Sequence, residues 1–490
     1  RFSTTRKRLM IQKLGTYVPF FGVAAVLSSA LFVELTLDIP FLASGIGLAL
    51  LLIVLMLRSP RAWIATSILI LPVFLTESGK GISAFEVAVG GSLLVSISLW
   101  VLYKLATNYS SVLRTWPDIA LLLWLLMSVL NVMVALANDV DIVFWFSEWA
   151  LYILILYYLP IREYYGGTES GRMQLLTLIL VSSILQSLYS IWNFKQRMAS
   201  TLIYAFQLES ARSVLLGPIF LLVILGCIVA LFTVTSRRGR WLALFGLLIN
   251  TVALVITFTR TLWVMGAVGL FITLSFLTIR QVVTTISAAA GATSAVVSVA
   301  YAFFPKLTDI ALMLIKKRFL SSSRLRGGDY SFETRIIEAT AAWERIVETP
   351  LGGQGIRASV LAWDPIVQAS SYTQFIHFGY VGLTLKLGFP LAIFLVSILS
   401  AFLLRGIHDV LTNLTLLRTM PSLRIMGVLL VAYTPIIYVV IFMSGVFDQR
   451  YGMFMFAFLF AMSAILRDNL PSLRQRVNTT HVPRTSPSLA

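Results

Sequence analysis

His377, Arg260 and Arg335 are the side chains in this sequence best suited to do chemistry. An imidazole can take a proton from a hydroxyl near neutral pH. A guanidinium is planar, permanently charged and bidentate, which suits the oxygens of a phosphate. The chain has 3 histidines; His408 lies in a basic loop and His481 in the C-terminal tail. His377 instead closes a long polar stretch, Lys306 to Tyr372, that interrupts an otherwise apolar sequence. This stretch carries Arg324, Arg326, Arg335, Arg345 and Arg357, and the turn LGGQGI, Leu351 to Ile356. Gly353 and Gly355 permit positive φ or close approach of a backbone. Each feature also has a plainer reading. Arg260, in TFTRTLWV, suits a side chain that snorkels at a helix end. Arg335 suits a solvated ion pair with Glu333 or Glu338. His377 suits a hydrogen-bonded residue at a membrane interface, and the glycines suit an ordinary helix end.

These residues need elements to hold them. SFETRIIEATAAWERIVETP has the periodicity of an amphipathic helix, with Ile336, Ile337, Ala339, Trp343, Ile346 and Val347 as its apolar stripe. Glu333, Arg335, Glu338, Glu344 and Arg345 fall mostly elsewhere on it. Ser331 is placed to cap its start, and Pro350 follows its last turn. His377 stands where the polar stretch returns to apolar sequence, in SYTQFIHFGYVGLTLKLGFPLAIF.

The rest of the chain reads as membrane helices. It is 58% hydrophobic and 12% charged, with a mean hydropathy of +0.89. Apolar runs of about 20 residues recur, long enough to cross a bilayer as helices. The strand-length alternation of a membrane barrel is absent. The expected fold is therefore all-α, a polytopic transmembrane bundle of about 12–14 spans with a long external loop containing amphipathic helices. About fourteen apolar spans can be read. They are 16–37, 39–57, 62–76, 82–103, 117–137, 142–160, 173–193, 213–234, 241–259, 262–279, 282–304, 388–404, 425–446 and 452–466. This organises the chain as a basic cytoplasmic N-terminus (1–15), a first set of spans (16–304), an external loop domain (305–387), C-terminal spans (388–466) and a disordered cytoplasmic tail (467–490).

Charge orients this threading. Lysines and arginines number 38 against 21 acids, for a net charge of +17. In a soluble protein that excess would suggest nucleic acid, but basic loops also orient membrane helices, and no nucleic-acid partner is expected. With both termini in the cytoplasm, Arg58, Arg61, Lys104, Arg114, Arg162, Arg172, Arg237, Arg238, Arg240, Arg280, Arg405, Arg418, Arg424 and Arg467 all fall on the cytoplasmic side. Short outer loops receive few: Lys80, Lys195, Arg197, Arg212, Arg260 and Arg450. Cys227 is the only cysteine, so neither an internal disulfide nor a cysteine metal cluster can form.

Four stretches resemble the O-antigen ligase and O-antigen polymerase superfamily of bacterial membrane glycosyltransferases. They are ARSVLLGPIFL with Arg212, TFTRTLWV with Arg260, ETRIIEATAAWERIVETPLGGQGI, and HFGYVGLTLKLGFP. Their order and the long external loop also match, over roughly 195–404. Phe378 stands where the family commonly has asparagine, and Pro390 where a second glycine is common. The resemblance implies a fold of the type-C glycosyltransferase kind in the bacterial inner membrane. It implies metal-independent, inverting transfer without a cofactor. The donor would be a glycan on undecaprenyl diphosphate at the outer face, and the acceptor a growing glycan or a lipid. By the same resemblance, Arg260 and Arg335 bind the diphosphate, and His377 orients or deprotonates the acceptor hydroxyl. Arg212, Arg357 and Tyr380 help bind substrate, and the Gly353–Gly355 turn brings N–H groups near the phosphates.

Other readings compete. Asp139 and Asp141 form an Asp-x-Asp pair that suits a divalent cation beside a diphosphate. A transporter or flippase of lipid-linked glycans would also need many spans and a basic cavity, but would be expected to carry more mid-span charge than Glu34, Glu86 and Glu148. A purely structural scaffold is the third reading, and no motif favours it.

Overall fold

A computed structural model describes residues 41–74, 84–200, 217–303, 330–364 and 368–480, and single positions 305, 309, 313 and 316. The expected first span, 16–37, and Arg212 lie outside the described residues. The chain divides into two compact units, Arg1–Thr107 and Asn108–Ala490.

In the first unit, α1 (Leu42–Arg58), α2 (Pro60–Phe74) and most of α3 (Ala84–Val112) are described. Small residues and indoles join them. Gly45 faces Ala88 so closely that a Cβ there would overlap it, and the Ser92 hydroxyl donates to Gly45 O at 2.8 Å. The buried Trp63 indole donates to Ser96 Oγ at 3.2 Å. Helical geometry breaks at Asn108 (φ −157°, ψ 68°), where the second unit begins.

The second unit contains α4 (Trp116–Val129), α5 (Asn131–Ala137), α6 (Ile142–Ile153), α7 (Tyr158–Tyr165), α8 (Glu169–Ser200), α9 (Gly217–Thr233), α10 (Arg237–Val255), α11 (Arg260–Ser275) and α12 (Ile279–Phe303). After these come α13 (Tyr330–Glu348), the strands β1 (Val360–Asp364) and β2 (Ala369–Thr373), α14 (Gly379–Thr412), α15 (Leu414–Leu417), α16 (Pro421–Met443) and α17 (Arg450–Thr480). Every expected span from 39–57 onward overlaps one of these helices. Eight described helices are long and apolar enough to cross a membrane, and three more are apolar but shorter. The protein is thus a multi-pass, helical membrane protein.

Two helices form the axis. The first part of α17 is buried on every side, from Met453 through Leu466, as expected of a helix that is apolar all round. Beside it, α16 packs against α9, α11, α14 and α17. Its 23 residues rise roughly 34 Å, from one end of the bundle to the other. α11 runs antiparallel to α16. The Arg424 guanidinium, near the start of α16, donates to Phe276 O just past the end of α11 at 3.4 Å, and further along Gly269 meets Ile436. Arg260, the first residue of α11, therefore stands at the Met443 end.

The segment between α13 and α14 also holds a hairpin, in which β1 and β2 pair antiparallel with Ala362 opposite Ser371. One expectation needs correction: the chain is not disordered from 467, because α17 continues to Thr480. Its polar turns are tied into the bundle end, with Asp468 on Arg162, Asn469 on Gly166 O and Arg474 on Asn413 Oδ1. A composition poor in apolar residues shows few buried contacts, but it cannot reveal ion pairs to distant helices.

Candidate functional site

The site is built on α13. The helix is described from Tyr330, with Ser331 in its first described turn. Its buried face seats Ala342 and Ile346 in a small core with Val360 of β1, Ile376, and Leu385 of α14. Arg335 and Glu338 are three residues apart, which places them on neighbouring positions of one helix face. Glu338 is 6% exposed. An isolated carboxylate so buried is costly and needs a partner.

That partner is His377. Glu338 Oε2 lies 2.7 Å from His377 Nδ1 and also accepts the His377 backbone N–H at 3.4 Å. An ionised carboxylate can only accept, so it pairs with an Nδ1 that carries a proton; in the neutral imidazole of that tautomer Nε2 holds the lone pair. The fully buried Ile376 anchors the chain immediately before, and Phe375 packs its ring edge-on against the imidazole at 5.0 Å. Immediately after, Phe378 packs on Phe442 at 5.2 Å. The imidazole itself is one-third exposed. It is thus oriented from behind and open in front, as a general base requires.

Arg335 reaches the end of α16 and donates from Nη1 to Met443 O at 3.3 Å. A cation there also complements the negative end of the helix. Because Arg260 begins α11 at this same end, Arg260, Arg335 and His377 all lie toward the Met443 end of α16. Tyr380 lies in the first turn of α14, with its hydroxyl 3.4 Å from Tyr438 O on α16.

The glycine turn has a different task from the one expected. Gly353 (φ 69°) and Gly355 (φ 94°) take the conformation that glycine favours. Their N–H groups, however, are used within the protein. Gly353 N donates to Thr349 O, Gln354 N to Leu385 O at 2.7 Å, and Gly355 N to Lys386 O at 3.1 Å. A Cβ on Gly353 would stand 2.5 Å from Gly388 N, and one on Gly355 would overlap Ala135. The turn therefore docks on α14 where that helix kinks at Gly388 (φ 74°), two residues before Pro390. It is a packing device and presents none of these three N–H groups to a phosphate.

Arg357 stands apart from His377 in its contacts. It holds φ 76°, rare for a residue with a side chain. Its guanidinium lies over the Phe144 ring at 5.4 Å and 3.9 Å from Glu148 Oε2. Glu148 is bonded to the buried Lys386 at 2.6 Å. Asn131 joins this group to the turn, donating to Lys386 O and accepting from Ile356 N and the Trp145 indole. Asp141, half of the Asp-x-Asp pair, caps α6 by accepting from Val143 N at 2.7 Å. Glu338, Glu148, Lys386 and Asn131 were not singled out as site residues by the sequence reading. Glu338 had a local signal, three residues from Arg335, and Glu148 stood out only as a mid-span charge.

No family model and no curated protein matches this chain. Geometry must carry the functional reading. An apolar cavity of about 190 Å³ lies between α8, α9, α10 and the starting half of α16, lined by Leu180, Cys227, Leu242 and Ile425 among others. It is toward the Arg424 end, opposite His377, and its walls hold no base or cation.

Proposed function

We propose that this protein transfers glycans from a lipid diphosphate donor at the outer face of a bacterial inner membrane, in the manner of O-antigen ligases and polymerases. The single observation that carries the reading is the Glu338–His377 pair one helical turn from Arg335, with the imidazole one-third exposed at one end of the bundle. In the proposed reaction, His377 Nε2 accepts the proton of an acceptor hydroxyl. The hydroxyl oxygen forms the new glycosidic bond at the anomeric carbon. The bond from that carbon to the diphosphate breaks from the opposite side, which inverts the configuration. Negative charge grows on the departing diphosphate, and Arg335 and Arg260 offset it. Glu338 keeps Nδ1 protonated and steadies the imidazolium that forms.

The test is reconstitution of the full chain in vesicles with an undecaprenyl-diphosphate-linked oligosaccharide. A ladder of product lengths identifies a polymerase, and a single shift on an added acceptor identifies a ligase. No product with any acceptor, alongside intact protein, counts against the reading.

The buried Lys386–Glu148 pair favours a second reading, a flippase, since transporters bury charge between helices. Here, though, the pair's neighbours are a fixed turn and Asn131, all mutually bonded. Movement of a labelled lipid-linked glycan between leaflets, without covalent change, is what would favour the flippase.

A further inference from the structure

The apolar stripe of α13 is not one surface but two. Ala342 and Ile346 are buried in the small core beside β1. Phe332, Ile336, Trp343 and Val347 are exposed, at 45, 45, 51 and 64%. Spacings of four, seven and four residues put these four on one narrow face of a helix. The face is about 22 Å long. Glu333, Glu344, Arg345 and Glu348 are exposed elsewhere around the helix. A water-facing helix gains nothing from such a stripe, and a packed one would bury it.

The exposed stripe is continuous with membrane-facing surface. Trp343 meets Phe389 edge-on at 6.1 Å. Phe389 is the first residue past the α14 kink, and its N–H donates to Pro350 O at the end of α13. One turn further along the spanning part of α14, Ile393 is 59% exposed, as a lipid-facing residue would be. Leu351, at the α13 end of this junction, is 76% exposed. Apolar surface thus passes from the span onto α13 without a polar break, and tryptophan at that junction suits the membrane–water boundary.

We infer that α13 is an interfacial helix whose Phe332–Ile336–Trp343–Val347 face is seated in the lipid bilayer. Its buried face holds Glu338 toward His377, and its charged face meets water. The helix behaves as an amphipathic anchor lying in the plane of the membrane. If the proposed transfer is correct, this places the reacting groups at the lipid boundary, where a donor with an isoprenoid tail arrives sideways. The anchor does not itself require that reaction.

Nitroxide labels test the inference directly. Cys227 is the only cysteine and is buried, so Cys227→Ala gives a clean background. Single cysteines replace Ile336, Val347, Glu333 or Glu344, and the labelled full chain is reconstituted in vesicles of phosphatidylcholine and phosphatidylglycerol. Collisions with oxygen, which concentrates in lipid, are compared with those of a water-soluble nickel chelate. The expected oxygen-to-nickel ratio is several-fold higher at 336 and 347 than at 333 and 344. Equal ratios at all four positions would overturn the inference by placing the stripe in water. Labels at 336 and 347 shielded from both reagents would overturn it too, since protein would then cover the stripe. Neither readout depends on glycan transfer, so failure here is distinct from failure of the proposed function.

Discussion

The two ends of the second unit use similar side chains to opposite effect. At the Ser422 end, cations are matched to acceptors. Arg162 is 4% exposed, bonds Asp468 through Nε and Nη2 at 2.7 and 2.8 Å, and bonds Asp118 at 3.1 Å. Asp118 also accepts from Tyr158 and from the Thr115 hydroxyl, and Arg172 bonds Ser422, Gly166 O, Asn469 and Glu169. At the Met443 end, Glu338 and His377 form a smaller group that leaves the imidazole one-third exposed. A saturated network gives rigidity; a group satisfied on one side only can receive a substrate. Charge of the same kind therefore acts as a clasp at one end and as a candidate site at the other.

This contrast can be broken by mutation. The largest expected effect is on the clasp. Arg162→Ala leaves Asp118 without its buried cation and should destabilise the protein by about 3–5 kcal/mol. Loss of folded yield and a lower melting temperature in detergent check this, while an unchanged melt would show that the network is not a clasp. At the other end, Arg335→Lys keeps the charge but loses the planar fork. Transfer should fall roughly 10²–10³-fold, the range for removing one transition-state donor, with little change in melting. Full activity of the lysine variant would mean that point charge suffices. Gly353→Ala puts a Cβ against the Gly388 backbone at positive φ, and should cost about 1–3 kcal/mol in the melt. A neutral result would return the turn to the list of binding elements. Smallest is Arg345→Ala, which breaks an exposed ion pair with Glu348 and should alter neither melting nor transfer measurably.

Much of the fold could be read from hydropathy, because lipid demands long apolar helices wherever the chain crosses. The span expected to begin at 388 starts earlier, because its helix runs from Gly379 to Thr412 through a kink at Gly388, where glycine and Pro390 both interrupt helical geometry. Basic residues assigned to the cytoplasmic side, such as Arg162, Arg172, Arg424 and Arg467, do share one end of the bundle, and Arg260 and Arg335 stand at the other. Which end faces the cytoplasm follows from charge alone and belongs to the proposal.

The site was less legible, for a physical reason. Glu338 and His377 are 39 residues apart, and Asn131 reaches Lys386 across 255. No local period encodes such pairs. Gly353 and Gly355 were read as permitting positive φ or close backbone approach, but what their N–H groups bond depends on where α14 kinks, about 35 residues later. The apolar stripe of α13 was visible as periodicity, whereas its division into a buried and an exposed half depends on β1 and α14 packing against one side only.

The most direct test compares wild-type protein with Glu338→Gln and His377→Ala in the same vesicles, under single-turnover conditions with a lipid-linked oligosaccharide and saturating acceptor. The prediction is a loss of roughly 10²–10⁴-fold in the rate for His377→Ala, and a substantial loss in the same saturated rate for Glu338→Gln, with both variants folded. Rates near wild type in both would contradict the account, because the carboxylate-held imidazole would then have no part in moving the proton.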